Sequence, residues 1–313
     1  MKLDISENAL PVYEALASDV RLRIIHLLAQ EPRNVKELAE AVGLSSAIMT
    51  MHTKKLEKAN LIRTEMVRGR GGVQKLCRLC VDKIEIDFPS NKEPNRESHR
   101  TELSVGHYTD FEIHPTCGLA TPAKLIGEFD EPRFFWDSER VDAKILWFGR
   151  GYIEYKVPNF LLPSQMPDEL VISMELASEA PGNNDNWPSD IAFSLNGKEL
   201  GTWTSPGDFG DARGKYTPAW WPDAINQYGL LKHLRITKDG TYMDGNRISN
   251  VTLDDIQARK KQWTFRIACM DETKHIGGVT LFGAGFGNYN QDIVFQLYYT
   301  TAEAPSPENE SIR

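Results

Sequence analysis

The N-terminal part of the chain repeats its apolar side chains at the three- to four-residue spacing of amphipathic helices. This periodicity predicts a first helical stretch over residues 12–28, where Val, Leu and Ile recur on one side. A second helix is predicted over 34–41, because Asn34 can cap its start and Gly43 can end it. A third helix, predicted over 46–60 behind a Ser45 cap, is apolar on one side and carries threonine and lysine elsewhere.

Two β-strands are predicted after the third helix, over residues 62–67 and 74–80. Between them lies Arg68-Gly69-Arg70-Gly71-Gly72, a loop that can turn sharply and that presents two cations. Readers of duplex DNA are commonly built from a helix that enters the major groove and a basic wing that meets the backbone. The order of elements over residues 10–81 therefore predicts an α+β winged helix-turn-helix.

The third helix and the loop hold the residues that we expect to contact DNA, because they precede or face away from the apolar stripe of Met49 and Leu56. Threonine and methionine can meet thymine methyl groups, and lysine can reach a guanine edge or a phosphate. Arginine in the wing would follow phosphates or enter the minor groove. The predicted contacts to double-stranded operator DNA are Ser46, Ala47, Thr50, Met51, Lys54, Lys55, Arg68 and Arg70.

Charge supports this interpretation. Residues 45–80 hold eight Lys or Arg side chains against two Glu, a local balance of +6 in a chain whose formal net charge is −8. A basic face confined to one part of an acidic protein is the electrostatic footprint of nucleic-acid binding. Most charged helix faces are only solvated surface, but here the order of elements, the loop and the charge agree.

The same segment resembles the ArsR-type winged-helix transcription regulators. The similarity lies in the run ASDVRLRII from Ala17, in LAEAVGLS from Leu38 and in MHTKKLEKANLI from Met51, and Thr53 stands where the family usually has Leu. The resemblance covers about a quarter of the chain and implies a homodimer that binds operator DNA through the third helix. Such dimers usually bury a helix after the wing, whereas a polar segment follows Val81 here. We therefore expect the first helix or the second half of the chain to carry the dimer contact.

The composition changes beyond the wing. All seven Trp lie at or beyond residue 136, and Tyr13 is the only aromatic residue before Phe88. A polar stretch without periodicity, 89–99, indicates a linker. We predict a winged helix over 1–88, a linker over 89–104, a second domain over 105–301 and a flexible tail over 302–313.

The second domain is predicted to be all-β, a jelly-roll-like sandwich. Asn196-Gly197 lies between two strand-like runs and is a strong hairpin signal. This hairpin with the following GTWT, together with the glycine-rich segment 283–294, resembles galactose-binding-like and carbohydrate-binding jelly rolls. The predicted strands are 144–148, 152–157, 170–176, 191–195, 198–204, 263–270, 279–282 and 291–299.

Two long loops of the sandwich, 181–190 and 205–222, are rich in Trp, Asn, Asp and Gly. A sugar site needs an aromatic platform beside carboxylate, amide and arginine groups that bind pairs of hydroxyls. The same composition is also typical of turns, with Trp packed over the edge of a sandwich. The predicted ligand-binding residues are Asp185, Asn186, Trp187, Trp203, Asp208, Arg213, Trp220 and Trp221.

These observations predict a cytoplasmic transcription regulator whose sandwich senses a small effector, a sugar or an oligosaccharide. We predict no enzymatic activity, cofactor or metal, because acidic pairs such as Asp254-Asp255 have no evident partners and Cys77 and Cys80, three apart on a strand, face opposite sides. The apolar runs are too short to span a membrane, and the polar N-terminus is not a signal peptide. Two alternatives stay open for the second half, a carbohydrate-active enzyme and an oligomerisation module.

Overall fold

The computed structural model describes residues 1–69, 72–87, 96–271 and 273–301. Contacts within the chain divide it into two units, Met1–Glu93 and Pro94–Arg313. Residue 88, the first part of the predicted linker, 89–95, and the predicted tail, 302–313, lie outside the described residues. Within the described ranges, no helix combines the length and the apolar character needed to cross a membrane.

The first unit is the predicted winged helix. A three-stranded antiparallel sheet, in the order β2-β4-β3, packs with the helices, and β1 pairs in parallel with β5. Its core includes Ile24, Leu38 and Leu56. The elements are β1 (Lys2–Asp4), α1 (Leu10–Leu16), α2 (Asp19–Gln30), β2 (Arg33–Asn34), α3 (Val35–Val42), α4 (Ser46–Lys58), β3 (Ile62–Gly69), β4 (Gly72–Leu79) and β5 (Glu85–Asp87).

The predicted caps of α3 and α4 are confirmed. The Asn34 side chain accepts hydrogen bonds from the backbone N–H groups of Lys36 and Glu37, and the Glu37 carboxylate accepts one from the Asn34 N–H. Gly43 then ends α3 in the left-handed conformation, at φ +76°. Ser45 caps α4 by accepting from the Ile48 N–H at 3.3 Å. These local bonds fix where both helices of the DNA-reading motif begin.

The single first helical stretch predicted over residues 12–28 is wrong, because the chain breaks between α1 and α2. Ala17 leaves the helical conformation at ψ 53°, and Ser18 is extended. The buried Arg21 folds back over this break, where its guanidinium donates to the carbonyl groups of Ala15 and Glu14, each at 2.7 Å. Arg21 thus satisfies backbone acceptors that the end of α1 leaves open, a long-range role that apolar spacing does not reveal.

The second unit is all-β, as predicted, and its described strands form one hydrogen-bonded network. Apart from two short 3₁₀ turns, its described elements are β6 (Ser98–Leu103), β7 (Asp110–Ala120), β8 (Leu125–Ile126), β9 (Ile145–Pro158), β10 (Gln165–Ala177), β11 (Ser189–Leu195), β12 (Lys198–Ser205), β13 (Leu230–Ile236), β14 (Thr241–Met243), β15 (Asn246–Ser249), β16 (Gln262–Cys269), β17 (Val279–Phe282) and β18 (Ile293–Thr301).

Two long strands organise the sandwich. β9 pairs with β17 near its start, with β16 near its end and with β7 along its other edge. β10 pairs with β18, β13 and β17 in turn. The large core between the layers includes Phe148, Leu170, Phe265 and Phe295. A second, smaller apolar cluster forms around Trp147, where loops cover strands β7, β9, β10 and β17.

The structure corrects the predicted boundaries in three places. β6 takes up Ser98–Leu103 and pairs with β18, so the linker predicted to reach residue 104 ends earlier. The separate strands predicted over 144–148 and 152–157 are one strand, β9. β7, β8 and β13–β15 were not predicted, because their residues mix polar and apolar positions without clear alternation. The Asn196-Gly197 hairpin is confirmed, with φ of 52° and 79°.

Candidate DNA-binding and ligand-binding sites

The outer side of α4 carries most of the predicted DNA contacts. Ser46, Ala47, Met51 and Lys54 are exposed, with Met51 exposed by 64%. Thr50 is half-buried and donates its hydroxyl to the Ser46 carbonyl at 2.7 Å, which leaves its methyl group and oxygen lone pairs available. The opposite side of the helix, Met49, Thr53 and Leu56, is buried, and this packing fixes which side of α4 is exposed.

Lys55 lies at the flank of that exposed side. It lines a groove of about 270 Å³ together with Lys58, Glu7 and Glu14. The two glutamates come from α1 and the turn before it, so Lys55 stands closer to acidic groups than Lys54 does. Among the described residues, no carboxylate lies within ion-pair distance of Lys54. Lys54 is therefore the lysine of α4 best placed for a DNA phosphate or base.

The wing strands are tied to α4 through one glutamate. The Glu57 carboxylate accepts from the Thr64 hydroxyl on β3 and from the Lys75 ammonium on β4, the latter at 3.0 Å. The hydrogen bond from Thr64 lowers the pKa of Glu57, so this link is ionised at neutral pH. Lys75 therefore holds the wing in place and is less free to bind DNA than its charge alone suggests. Of the predicted wing contacts, Arg70 and the side chain of Arg68 lie outside the described residues.

In the sandwich, the two predicted loops lie side by side. Asn184 and Asp208 exchange backbone hydrogen bonds at 2.9 Å, and the Trp187 N–H donates to the Pro206 carbonyl at 3.0 Å. The Arg213 guanidinium donates to the Pro218 and Trp221 carbonyls. Hydrogen bonds of their own backbone and side chains therefore hold the two loops in a defined conformation.

The structure separates the predicted ligand-binding residues by their surroundings. Trp203 lies on β12, with the Lys232 ammonium 4.5 Å from its ring centre, and packs against the large core rather than with the loops. Trp221 and Asp208 are buried. Trp220 is partly exposed, and its indole N–H donates to the Pro122 carbonyl at 2.6 Å. Asp185, Asn186 and Arg213 are exposed on the loops.

A pocket of about 220 Å³ opens beside these loops. One wall is aromatic, where the rings of Phe129 and Trp147 lie 5.7 Å apart. Gly118 makes room for this wall, since a Cβ atom there would stand 2.2 Å from the Trp147 ring. The lining residues are Thr116, Phe129, Asp130, Trp147, Glu179, Ala180, Pro181, Gly182, Ile225 and Asn226.

The predicted residues support this pocket without lining it. Trp221 packs edge-on against Trp147 at 5.6 Å. The Asp208 carboxylate accepts from the Ala180 N–H at 3.1 Å, and the Trp187 indole donates to the Glu179 carbonyl at 3.0 Å. The predicted loops contribute Pro181 and Gly182 to the pocket lining, whereas Phe129, Asp130 and Glu179 were not predicted. One signal for Glu179 was available, because it is an acid two residues beyond the end of the buried strand β10.

Glu179 forms the floor of the pocket. One oxygen, Oε1, accepts from the Thr116 hydroxyl at 3.1 Å; the other, Oε2, accepts from the Asn226 amide at 3.1 Å and lies 3.0 Å from the Thr280 hydroxyl. Burial and the nearby Asp208 carboxyl raise the pKa of Glu179 well above its usual range. At the rim, Asp130 is exposed and accepts from the Cys117 N–H at 2.9 Å. Across the described chain, His, Cys, Asp and Glu form no group of three suited to a metal ion.

The sandwich is expected to gain stability as the pH falls from about 8 to about 5. Burial raises the pKa of Glu175 and of Asp208 to about 7 each. Each carboxyl therefore binds its proton more tightly in the folded chain than in the unfolded chain. The stabilisation is complete below the unfolded pKa of about 4 and is lost as the pH rises through the folded pKa. Each carboxyl changes the free energy of unfolding by about 1.4 kcal/mol per pH unit. Urea unfolding followed by Trp emission measures it for the sandwich alone.

A matched variant tests the cause of this pH dependence. Glu175→Gln cannot ionise, so it should make the dependence shallower and leave the part that comes from Asp208. The amide also satisfies fewer of the three backbone N–H groups that donate to Glu175. Asp239→Asn, an exposed position, should leave the slope unchanged. A free energy of unfolding that increases with pH across this range would contradict the assignment.

Comparison with known proteins places residues 18–64 in the pattern of the bacterial regulatory proteins of the arsR family. An uncharacterised HTH-type transcriptional regulator of Methanocaldococcus jannaschii is 31% identical over 74 residues, which cover 24% of this chain and 78% of that relative. The winged helix-turn-helix DNA-binding domain of a possible ArsR-family regulator from Mycobacterium bovis is 30% identical, over 22% of this chain and 61% of that chain, with a TM-score of 0.20.

The second unit is similar to a different kind of protein. The CBM36-1 domain of a multidomain xylanase, from the hindgut metagenome of Trinervitermes trinervoides, aligns with 66% of this chain over its own full length. The identity is 8% and the TM-score 0.28. The likeness is too low to support any statement about ligands, so the pocket must be interpreted from its own residues.

Proposed function

Because its N-terminal unit makes this chain a member of the arsR family of bacterial regulatory proteins, we propose that it is a DNA-binding transcription regulator whose β-sandwich senses a sugar or an oligosaccharide. As a regulator it would act in the cytoplasm, where its operator is. The effector would change how tightly the winged helix binds that operator.

The exposed side of α4 supports the DNA-reading half of the proposal. Ala47, Met51 and Lys54 lie together on it, and Glu57 fixes the wing beside it. These residues would enter the major groove, with Thr50 and Met51 against thymine methyl groups and Lys54 against a phosphate or a guanine edge. A homodimer would place two such helices on half-sites about one helical turn apart, so we expect a pseudo-palindromic operator.

The sensing half rests on the pocket beside Trp147. Phe129, which is 49% exposed, offers an apolar ring surface of the kind that a sugar needs, and the buried Trp147 packs behind it. Glu179, Asp130 and Thr116 offer groups that accept hydrogen bonds from hydroxyls. The pocket is open to solvent and is held by hydrogen bonds among Thr116, Glu179 and Asn226. This combination in one cavity is the observation that carries the proposal.

Regulation requires that sugar and operator affect each other's binding. If the sugar prefers one arrangement of the dimer, operator DNA must change the sugar's affinity by the same factor as the sugar changes the operator's affinity. We expect a factor of about 5 to 150. An operator selected with the full chain from random duplexes, titrated with and without each sugar of a panel, measures one side. Trp emission measures the other, because every Trp lies in the sandwich.

Two phenylalanine variants show whether the pocket is the site. Phe129→Ala removes an exposed wall residue and should weaken the saturable Trp response about tenfold. Phe160→Ala removes a similarly exposed ring outside the pocket and should leave the response unchanged. A flat response of the unaltered chain to all sugars would refute sugar sensing and favour an oligomerisation module, whereas turnover of a sugar would favour an enzyme.

A further inference from the structure

The polar side-chain atoms left free in the pocket beside Trp147 are hydrogen-bond acceptors. Asn226 uses its amide N–H groups on Glu179 and Thr280, and its Oδ1, in a side chain only 3% exposed, has no partner. The Thr116 hydroxyl already donates to Glu179. The Asn226 oxygen is itself buried from solvent, so the acceptors that a ligand can reach are the carboxyl groups of Glu179 and Asp130 and the lone pairs on Thr116. These groups favour a ligand that donates hydrogen bonds.

The ionisable side chains that line the pocket are all acidic. Its lining includes two acids, Asp130 and Glu179, and no lysine, arginine or histidine among the residues described there. Directly behind Ala180 lies the buried Asp208, whose Oδ1 also lacks a partner in the described structure. Buried carboxyl groups without a compensating cation are costly in their charged form. A ligand with a positive charge would remove that cost, and a ligand with a carboxylate would increase it.

From these contacts we propose that the effector carries a protonated amine, and that this pocket binds an amino sugar in preference to a neutral or an acidic one. The inference rests on the proposed sensing function and specifies its ligand class. An ammonium group has three donors and no acceptor, which matches the acceptors of Thr116, Glu179 and Asp130 in the pocket lining. The exposed Phe129 ring attracts the same charge through its π-electrons and also covers the C–H face of the sugar ring.

A bare metal ion fits the pocket less well than an organic cation. The cavity of about 220 Å³ is far larger than one ion or one water molecule requires. Both Glu179 oxygens already bind protein donors, and calcium needs six to eight oxygen ligands close around it. The aromatic rings of the pocket wall offer no oxygen ligands. The shape and chemistry therefore favour a ring that bears an ammonium group.

Binding should be accompanied by proton release. Burial and Asp208 raise the pKa of Glu179, and the groups around its carboxyl are Thr116, Asn226 and Thr280, with no cation among them. An ammonium group close to Glu179 would lower that pKa and expel the proton. Calorimetry of the full chain with glucosamine, in buffers of different ionisation enthalpy, should therefore show protons released in the pH range where Glu179 is protonated in the free chain. Glucose should release none.

The decisive experiment compares glucosamine with glucose, which differ by one ammonium in place of one hydroxyl. We expect Trp emission of the full chain to saturate with glucosamine at about tenfold lower concentration than with glucose. N-acetylglucosamine, in which an uncharged amide replaces the ammonium group, should behave like glucose or bind more weakly. Equal or tighter binding of glucose would overturn the amine inference and leave sugar sensing intact. No response to any sugar would refute both, and a response to calcium chloride alone would replace the amine by a metal ion.

An isosteric variant tests the electrostatic cause. Asp130→Asn keeps the acceptor for the Cys117 N–H and suits the left-handed backbone, at φ +61°, while it removes the rim charge. It should weaken glucosamine about tenfold more than it weakens glucose, because the amide keeps an acceptor for hydroxyls but loses the charge. Asp239→Asn, exposed and outside the pocket, is the control for net charge. An equal loss for both sugars would mean that Asp130 only shapes the pocket, and would count against the amine.

Discussion

Reversing the charge of Lys54 is expected to weaken operator binding about a hundredfold at moderate salt. Lys54 is exposed on the side of α4 opposite to the buried Met49 and Leu56, and among the described residues no carboxylate pairs with it. Lys54→Glu replaces an attraction to phosphate by a repulsion. Glu and Lys have similar helix propensities, so the helix should persist. Fluorescence anisotropy with a labelled, selected operator measures the loss.

The dependence of operator affinity on salt concentration distinguishes two roles for Lys54, a contact with a phosphate and a contact with a guanine base. If it binds a phosphate, Lys54→Gln should lower the slope of log affinity against log salt by about 1. If it reads a guanine, the variant should relax specificity at one base pair instead. Lys2→Glu makes the same change of net charge on the exposed strand β1 and should have a small effect. Equal losses for Lys2→Glu and Lys54→Glu would refute the assignment of α4 to the groove.

Trp221→Ala is expected to lower the free energy of unfolding of the sandwich by about 3–5 kcal/mol. Trp221 is 1% exposed and packs edge-on against Trp147 and Phe286, with ring centres 5.6 and 5.2 Å apart. Its indole N–H donates to the Asn226 carbonyl at 2.9 Å. The truncation leaves a cavity and an open acceptor beneath the loop that carries Ile225 and Asn226. Urea unfolding, followed by circular dichroism and by the emission of the remaining Trp residues, gives the value.

The neighbouring Trp220 is a matched control. It is 41% exposed and contacts the same cluster from outside, so Trp220→Ala should cost only about 1 kcal/mol. The pair therefore separates a core tryptophan from a surface tryptophan within one dipeptide. Similar losses for both variants would mean that Trp221 is not the anchor of the loop. Because Trp221 supports the pocket wall, its variant should also lose the response to sugars, whereas Trp220→Ala should keep it.

Much of the winged helix could be predicted because its signals are local. Asn34, Gly43 and Ser45 act within four residues of the positions that they cap, and the apolar spacing of α4 is complete within the helix itself. The hairpin at Asn196-Gly197 was equally predictable, since its two positive φ angles suit these residue types. Where a side chain or turn residue acts only on residues next to it in the chain, the sequence is sufficient to predict the local structure.

The predictions of secondary structure were wrong where a side-chain hydrogen bond crosses a break between helices, or where pairing with another strand determines the conformation. Arg21 reaches back to the end of α1 and so stabilises a break that the apolar pattern hides. Ser98–Leu103 look like a polar linker but become β6, because β18 offers them an edge. A strand of mixed polarity at such an edge has no periodicity that marks it.

The sequence by itself determined that this chain joins a basic winged helix to an all-β domain with polar, Trp-rich loops, because helix caps, turn residues and charge act over short distances. It also indicated which side of α4 would face DNA. Only the tertiary structure decided which side chains form the pocket. Thr116, Phe129, Asp130, Trp147, Glu179 and Asn226 come from distant parts of the chain and meet only when the strands pair and the loops cover them. The surplus of hydrogen-bond acceptors there, on which the proposed preference for an amine rests, follows from which protein groups those side chains already bind, and no local sequence pattern records that.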